Sequence, residues 1–305
     1  MKRDIQNIPA SIQARLQNKV GEIGQSFNDV LQYYGMERFL YRLSKTRHVN
    51  DFILKGGLMF YGLGIPMRRV TRDIDFLGIS ENARRDILSV FREALSVSCP
   101  DDGILFDEKT LRVSETQAEA DQGGVRLSFM GYLGKMRIPI QVDVGFSDEL
   151  ASETLRVDYP VILAGMETPR LQGYPPEAII SEKFHAIVRF ADANSRWKDY
   201  YDIFLLTETF EFESRLVANA IRTTFENRPM ELNDSIPPGL WESFAVSKQR
   251  EWGLFLEKGK LTNDAIQDLK AVVNRIWKFL EYPLREVLEE KESTPKRWTR
   301  GNGWR

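Results

Sequence analysis

One short segment, LKGGLMFYGLGIPMRRVTRDIDF from Leu54 to Phe76, constrains the fold of this chain more than any other. The apolar residues Phe52–Leu54 predict a short strand that ends in a turn at Gly56 and Gly57, with a helix directly after the pair. The alternating pattern over Thr71–Ile79 predicts a second strand. Two strands joined by a glycine turn and a single short helix indicate an α/β unit.

The second strand carries two aspartates, although aspartate is a poor strand former. Alternate side chains of a strand share a face, so Ile74 and Phe76 should enter the core while Asp73 and Asp75 project together. The later strand IPIQVDVGF has the same design, with Asp143 opposite an apolar face. If the two strands are neighbours, three carboxylates converge, and hard oxygen ligands of this kind suit Mg²⁺ or Mn²⁺.

Three carboxylates and two divalent cations would leave a field that accepts an anionic phosphate chain, as in two-metal phosphoryl chemistry. The glycine pair fits the same chemistry, because Gly56 and Gly57 allow backbone N–H groups to approach a phosphate at the start of a helix. Arg68, Arg69 and Arg72 supply positive charge nearby.

The rest of the chain predicts an α/β half followed by an all-α half. Helical periodicity covers residues 11–45, broken near Gly21 and Gly24, with Ser11 and Ser26 as candidate N-caps. A β-rich stretch, a connector and a long helical region follow. Their predicted bounds are strands over 103–106, 111–115, 125–132 and 136–146, a hairpin turn at 133–135, a connector over 147–175, and helices from 176 to about 291. All six tryptophans lie at or beyond Trp197, which places the domain boundary near residue 165, with domains 1–165 and 166–305.

Composition excludes several classes of protein. A single cysteine rules out an internal disulfide and predicts a reducing cytoplasm, and two histidines exclude a histidine-rich zinc site. No apolar run approaches the roughly 20 residues of a membrane helix, and the N-terminus lacks the apolar core of a signal peptide. The net charge of −2 does not indicate a nucleic-acid binder. The basic tail KESTPKRWTRGNGWR is interpreted as a solvated, frayed terminus, with a phosphate-binding tail as the alternative.

A second group of charges lies in the helical half, in SRWKDYYDI. Arg196, Asp199 and Asp202 recur at steps of three and lie close to one helical face, and Lys198 and Asp202 are i, i+4 neighbours. Spacing alone favours a surface ladder of ion pairs.

The order of strand, Gly-Gly, helix, D-x-D strand and a later strand with one aspartate resembles the nucleotidyltransferase superfamily. The flanks ERFLYRLSKTRHVNDFILKGG and RRVTRDIDFLG, and the later AIISEKFHAIVRFADANSRWKDYYDIFLL, are similar to the AbiEii/AbiGii toxin family of bacterial nucleotidyltransferases. The resemblance covers roughly residues 11–210. It implies a nucleotidyltransferase fold with a mixed sheet, preceded by helices and followed by the all-α domain.

The same resemblance implies the roles of individual residues. Asp73 and Asp75 would bind the metals that hold an NTP, and Asp143 would complete the metal site and is a candidate base for the acceptor hydroxyl. The implied remaining set consists of Gly56, Gly57, Arg69, Thr71, Arg72, Arg196 and Lys198 for nucleotide binding, with Lys183 as a phosphate or nucleotide contact and Asp199 or Asp202 as a second-site carboxylate.

The resemblance also implies a toxin that inhibits growth by nucleotide transfer, in some relatives to the tRNA acceptor end, with a separately encoded antitoxin. Two alternatives stay open. A metal-dependent glycosyltransferase would explain the D-x-D but neither the glycine pair nor Asp143. A non-catalytic nucleotide-binding module of the same fold is disfavoured by the presence of Asp73, Asp75 and Asp143 together.

Overall fold

The structure is a computed structural model that describes residues 7–67, 69–80, 84–116, 124–146, 153–261, 267–289 and 294–305. The chain forms two compact units, which divide between Gly173 and Tyr174. The sequence places this division a few residues earlier, near residue 165. Within the described ranges, no helix has both the length and the apolar character needed to cross a membrane.

The first unit contains a seven-stranded mixed sheet. The strands are β1 Phe52–Lys55, β2 Ile74–Gly78, β3 Ile104–Thr116, β4 Gly124–Leu133, β5 Met136–Phe146, β6 Leu155–Asp158 and β7 Arg170–Gly173. Their order in the sheet is β3-β4-β5-β2-β1-β7-β6, in which β2 pairs in parallel with β5 and β1 pairs in parallel with β7. The pairing of β2 with β5 confirms the neighbourhood on which the predicted convergence of carboxylates depends.

The described residues of the same unit include the helices α1 Ile8–Ile23, α2 Phe27–Ser44, α3 Gly56–Gly62 and α4 Ile87–Ser96. Ser26 caps α2 as predicted, by accepting a hydrogen bond from the backbone N–H of Asp29. The cap predicted at Ser11 is wrong, because α1 begins earlier and Asn7 accepts from the N–H of Ala10. The predicted start of the α4 helix, at Asn82, lies outside the described residues.

Helix α2 packs against the sheet through small and aromatic residues. A Cβ on Gly35 would lie 2.6 Å from Cγ2 of Ile138 on β5, so this position needs glycine for the close approach of helix and sheet. One turn later, the ring of Phe39 lies 5.4 Å from that of Phe91 and 5.0 Å from that of Phe129. Aromatic pairs at these distances add to the stability that burial provides.

Two further sequence predictions for this unit are wrong. The expected strands 103–106 and 111–115 are one strand, β3, whose pairing shifts between Asp107 and Arg112. The irregularity is local, because Asp107 accepts hydrogen bonds from the N–H of Lys109 and the hydroxyl of Thr110. The segment 147–175, interpreted as a connector, contains β6 and β7; each has four residues, too few for a clear alternation.

The second unit is largely helical, with α5 Pro176–Phe190, α6 Trp197–Thr209, α7 Ser214–Asn227, α8 Glu242–Lys258 and α9 Leu269–Glu289. It also contains a small sheet of β8 Phe212–Glu213, β9 Arg297–Thr299 and β10 Gly303–Trp304, so the all-α prediction is not confirmed. The prediction of a frayed tail is wrong, because Trp298 is 1% exposed and its indole N–H donates to the carbonyl of Thr207. The sequence did not indicate that this segment is folded, because Trp298 and Trp304 lie among exposed arginines.

Candidate active site

Four charged residues form a row across four neighbouring strands of the first unit. Lys55 is the register partner of Asp75, Asp75 is that of Asp143, and Asp143 is that of Arg126. Register partners share a face of the sheet, so the row places two carboxylates side by side with a cation at each end. The opposite face is apolar, since Ile74, Phe76, Val142 and Val144 are at most 1% exposed.

Asp73 lies just before β2 and completes a triad of half-buried carboxylates. One oxygen from each of Asp73, Asp75 and Asp143 lies within 4.8 Å of the other two. Oxygens on opposite sides of one Mg²⁺ lie about 4.2 Å apart. The donor set therefore fits a hard divalent cation after a small closure, or two cations that share the three carboxylates.

The glycine pair is explained by the triad itself. Gly56 has φ +65°, and a Cβ there would lie 1.9 Å from Oδ2 of Asp75. A Cβ on Gly57 would lie 2.4 Å from Oγ1 of Thr71, which is 5% exposed. Helix α3 begins at Gly56, two residues before the predicted start. The glycines allow Asp75 and Thr71 to pack directly on the backbone at this turn.

Arg126 is a charged residue of the site that was not predicted from the sequence. Its Nε donates to Oδ1 of Asp143 at 2.7 Å and its Nη2 donates to Oδ2 at 2.8 Å, which is a two-pronged pair. The hydrogen bonds that Arg126 donates to Asp143, with the negative charges of Asp143, Asp73 and Asp75, raise the pKa of Arg126. The hairpin register contained the signal, because a turn at 133–135 that pairs Leu133 with Met136 also pairs Arg126 with Asp143.

Two of the arginines beside the D-x-D segment contact groups outside the triad. Arg69 lies over the ring of Phe60, with Cζ 5.9 Å from the ring centroid. The side chain of Arg72 is 81% exposed, and its Nη2 lies 3.9 Å from Oδ1 of Asp29. Arg68 lies outside the described residues. Their roles in nucleotide binding stay predictions.

Lys183, Asp199, Asp202 and Arg196 form a compact cluster inside the second unit. Nζ of Lys183 lies 2.7 Å from Oδ1 of Asp199 and 2.8 Å from Oδ2 of Asp202, and both carboxylates are 1% exposed. Nε of Arg196 lies 2.6 Å from Oδ2 of Asp199. These cations lower the pKa of Asp199 against the opposing effect of burial. The expected ladder on the surface is thus a buried network, joining α5 to α6, while Lys198 is exposed.

Comparison with known protein families finds a match over most of the chain. The family model described as nucleotidyl transferase AbiEii toxin, type IV TA system, matches residues 38–295. That range contains the glycine pair, the triad, Arg126 and the Lys183 cluster. No curated protein sequence matches the chain.

Two solved structures from Helicobacter pylori are similar to this chain. JHP933 has a TM-score of 0.47 and 13% identity, over 87% of this chain and 95% of that protein. A candidate nucleotidyltransferase has a TM-score of 0.46 and 14% identity, over 88% of this chain and 100% of that protein. Structural similarity at these TM-scores does not identify the family, which is identified by the sequence match.

A nucleotidyl transferase uses an NTP, and a toxin of a type IV system has a cognate antitoxin. The match extends over most of the chain and includes the triad. The chain therefore belongs to the nucleotidyl transferase AbiEii toxin family of type IV toxin–antitoxin systems, and it is a nucleotidyltransferase.

Proposed function

We propose that this chain transfers a nucleotide from an NTP to an RNA acceptor in the cytoplasm, in a reaction that requires Mg²⁺ or Mn²⁺. The observation that carries the proposal is the approach of three carboxylate oxygens to within 4.8 Å of one another beside the Gly56 turn. Such a cluster of like charges is stabilised by cations, and hard oxygen donors favour Mg²⁺ or Mn²⁺.

In this proposal Asp73, Asp75 and Asp143 hold the divalent cations. A bound cation supplies charge neutralisation at the phosphates and lowers the pKa of the attacking hydroxyl. Asp75 is held in place by its strand and by its contact with the backbone at Gly56, which fixes its carboxylate before substrate binds. The role of Gly56 and Gly57 in cradling the triphosphate remains a proposal, in which their backbone N–H groups donate to phosphate oxygens.

Asp143 acts in the proposal as a metal ligand and not as the general base. Both of its oxygens are already engaged, since each accepts a hydrogen bond from Arg126. Lys55, on the other flank of the row, contributes a second positive charge on the face where the phosphates would lie.

The geometry of the Lys183 cluster favours a structural role, in which ion pairs join two helices of the second unit, over a direct role in nucleotide transfer. The charge of Lys183 already faces two buried carboxylates, which holds α5 against α6. Nucleotide binding by Lys183, Arg196 and Lys198, and a second-site role for Asp199 or Asp202, remain proposals. Their test is the change in NTP affinity on substitution, measured together with stability.

We propose that the acceptor is RNA and that the nucleotide is added at the 3′ end of tRNA. The helical unit offers exposed cations, since the side chains of Arg297 and Arg300 are 73% and 78% exposed. Binding that depends on such contacts should weaken steeply as salt rises, because each phosphate contact releases counterions.

The test incubates the protein with each of the four α-³²P-labelled NTPs, Mg²⁺ and total RNA. We expect label in a tRNA-sized band, and the label should disappear when EDTA removes the metal. Label on protein alone would mean self-modification or a protein target, and the RNA proposal would then be wrong. Label that persists in EDTA would overturn the metal proposal.

Toxicity gives a separate test in cells. Inducing the chain alone in a bacterium should arrest growth, and Asp73→Asn should remove the arrest at equal protein level. Co-expression of the cognate antitoxin should restore growth. Equal arrest by wild type and Asp73→Asn would mean that the effect comes from overexpression and not from nucleotide transfer.

A further inference from the structure

The pair of Arg126 and Asp143 conflicts with a simple metal site. A guanidinium engages both oxygens of Asp143, at 2.7 and 2.8 Å, and Asp143 is also one of the three carboxylates of the triad. A divalent cation and a guanidinium on one carboxylate repel each other at short range. The two cations therefore compete for Asp143.

The neighbourhood of Arg126 suits an exchangeable partner. Its side chain is 44% exposed, whereas that of Asp143 is 21% exposed, so the arginine has room to turn toward solvent. When the amide of Gln141 is oriented with its oxygen toward Arg126, that oxygen accepts from both Nη2 and Nε at 3.3 Å. Gln141 thus offers the guanidinium a second, uncharged acceptor on the same sheet face.

We propose that Arg126 is the resident counter-cation of the triad and that a divalent cation takes Asp143 from it on binding. Arg126 is in this sense a positioning residue: it holds Asp143 over the sheet in the absence of metal. The inference rests on the proposed metal site and adds a residue outside the glycine-pair and D-x-D segments. Its consequence is that Arg126 weakens metal binding to the protein without nucleotide.

The experiment measures Mn²⁺ binding to the full chain by electron paramagnetic resonance, without NTP. Binding removes the signal of hexaaqua Mn²⁺, so the readout does not depend on catalysis. We expect Arg126→Gln to bind Mn²⁺ roughly three- to tenfold more tightly than wild type, the range that a partly exposed two-pronged pair allows. Arg126→Lys keeps the positive charge but loses the two-pronged hydrogen bonding. Its Mn²⁺ affinity should lie between those of wild type and Arg126→Gln.

Arg137→Gln is the matched control. Arg137 lies on β5 on the same face as Asp143, six residues away and therefore about 20 Å along the strand. Its loss removes the same charge at a distance where salt screens the interaction. The Mn²⁺ affinity of Arg137→Gln should equal that of wild type.

The outcomes separate this inference from the proposed function. Unchanged or weaker Mn²⁺ binding by Arg126→Gln, with normal binding by wild type, would overturn the role of Arg126 and leave the metal site intact. Binding by wild type that Asp73→Asn and Asp75→Asn do not alter, or no binding at all, would overturn the metal site itself. If Arg126→Gln does not fold, Arg126→Lys decides, since the inference requires tighter binding than wild type there also.

Discussion

The carboxylate of Asp75 occupies the space where a side chain at position 56 would begin. A Cβ on Gly56 would lie 1.9 Å from Oδ2 and 2.6 Å from Cγ of Asp75, and the backbone at Gly56 has φ +65°. Two independent requirements, a left-handed backbone and an empty Cβ position, thus meet at one residue. The glycine of the motif is there to fit one of the triad carboxylates against the turn.

Gly56→Ala should therefore impair activity by displacing Asp75. The contact at 1.9 Å cannot persist, so either the turn or the carboxylate must move. A shift of about 1 Å at a catalytic group costs on the order of 100-fold in rate. Steady-state nucleotide transfer and Mn²⁺ affinity should both fall.

Gly64→Ala is the matched control, because Gly64 has φ +81° and nothing lies within 4 Å of its Cβ position. Gly64→Ala should lower the unfolding free energy by about 1 kcal/mol, because alanine disfavours a left-handed backbone, and its activity should stay near that of wild type. Equal loss of activity in both variants would mean that backbone strain, and not the contact with Asp75, is the cause.

Lys183→Met should destabilise the protein, because it removes the cation shared by two carboxylates that are 1% exposed. Breaking a buried pair from one side costs about 3–5 kcal/mol. Urea denaturation of the full chain measures the loss. The double variant with Asp202→Asn should recover part of it, since one buried negative charge is then also removed.

Lys198→Met is the control for stability, because Lys198 is exposed and lies on the same helix as Asp202. This substitution should change the unfolding free energy by less than about 0.5 kcal/mol. Full stability of Lys183→Met with weakened NTP binding would contradict the structural role and favour a nucleotide contact.

Trp298→Ala should unfold the small sheet of the second unit. The indole is 1% exposed and lies 5.0 Å from Phe279 and 5.4 Å from Trp304, between ring centroids. Truncating a buried tryptophan costs about 3–5 kcal/mol. Trp241→Ala, at a residue that is 48% exposed, should cost much less. Equal urea midpoints for the two variants would show that the tail does not contribute to the folded unit.

Glu37 makes stability depend on pH. Burial raises its pKa to about 7, against the lowering effects of Arg38 and of the backbone N–H of Ile162. A carboxyl whose folded pKa lies above its unfolded value binds more protons in the folded state between those two values. Its contribution to stability is therefore full at acid pH and is lost as pH rises from about 4.5 to 7, at up to about 1.4 kcal/mol per pH unit.

Urea denaturation between pH 5 and 8 checks this slope, and Glu37→Gln should flatten it. Glu167→Gln is the control, because hydrogen bonds from Tyr41 and Lys45 lower the pKa of that exposed carboxyl. The contribution of Glu167 to stability is lost only as pH falls below the ordinary pKa of a glutamate. Above pH 5, the slope of unfolding free energy against pH in Glu167→Gln should therefore equal that of wild type. An unchanged slope in Glu37→Gln would refute the assignment.

Local patterns in the sequence predicted that three carboxylates converge, which the structure shows for Asp73, Asp75 and Asp143. Alternation over two strands separates Ile74, Phe76 and Val142 from Asp75 and Asp143, and period-two geometry then fixes which side chains share a face. The adjacency of the two strands followed from the motif and is confirmed by their pairing.

Other features depended on contacts that a local pattern does not contain. Arg126 belongs to the site only through cross-strand register, and Lys183 is buried by residues from a second helix. The order of the tail depends on the packing of Trp298 and Trp304 on Phe279. Basic residues around those tryptophans made the segment resemble a solvated terminus.

The position of the label in the NTP tests nucleotidyl transfer at the triad most directly. Wild type, Asp73→Asn and Asp75→Asn are each given the same NTP labelled at the α-phosphate or at the γ-phosphate, with Mg²⁺ and RNA. Nucleotidyl transfer keeps the α-phosphorus on the acceptor and releases the γ-phosphorus with pyrophosphate. We predict α-label in RNA with wild type, no γ-label, and a fall of at least about 100-fold with either variant, since lost charge stabilisation costs several kcal/mol. Transfer of γ-label, or α-label transferred at the wild-type rate by Asp75→Asn, would contradict the account.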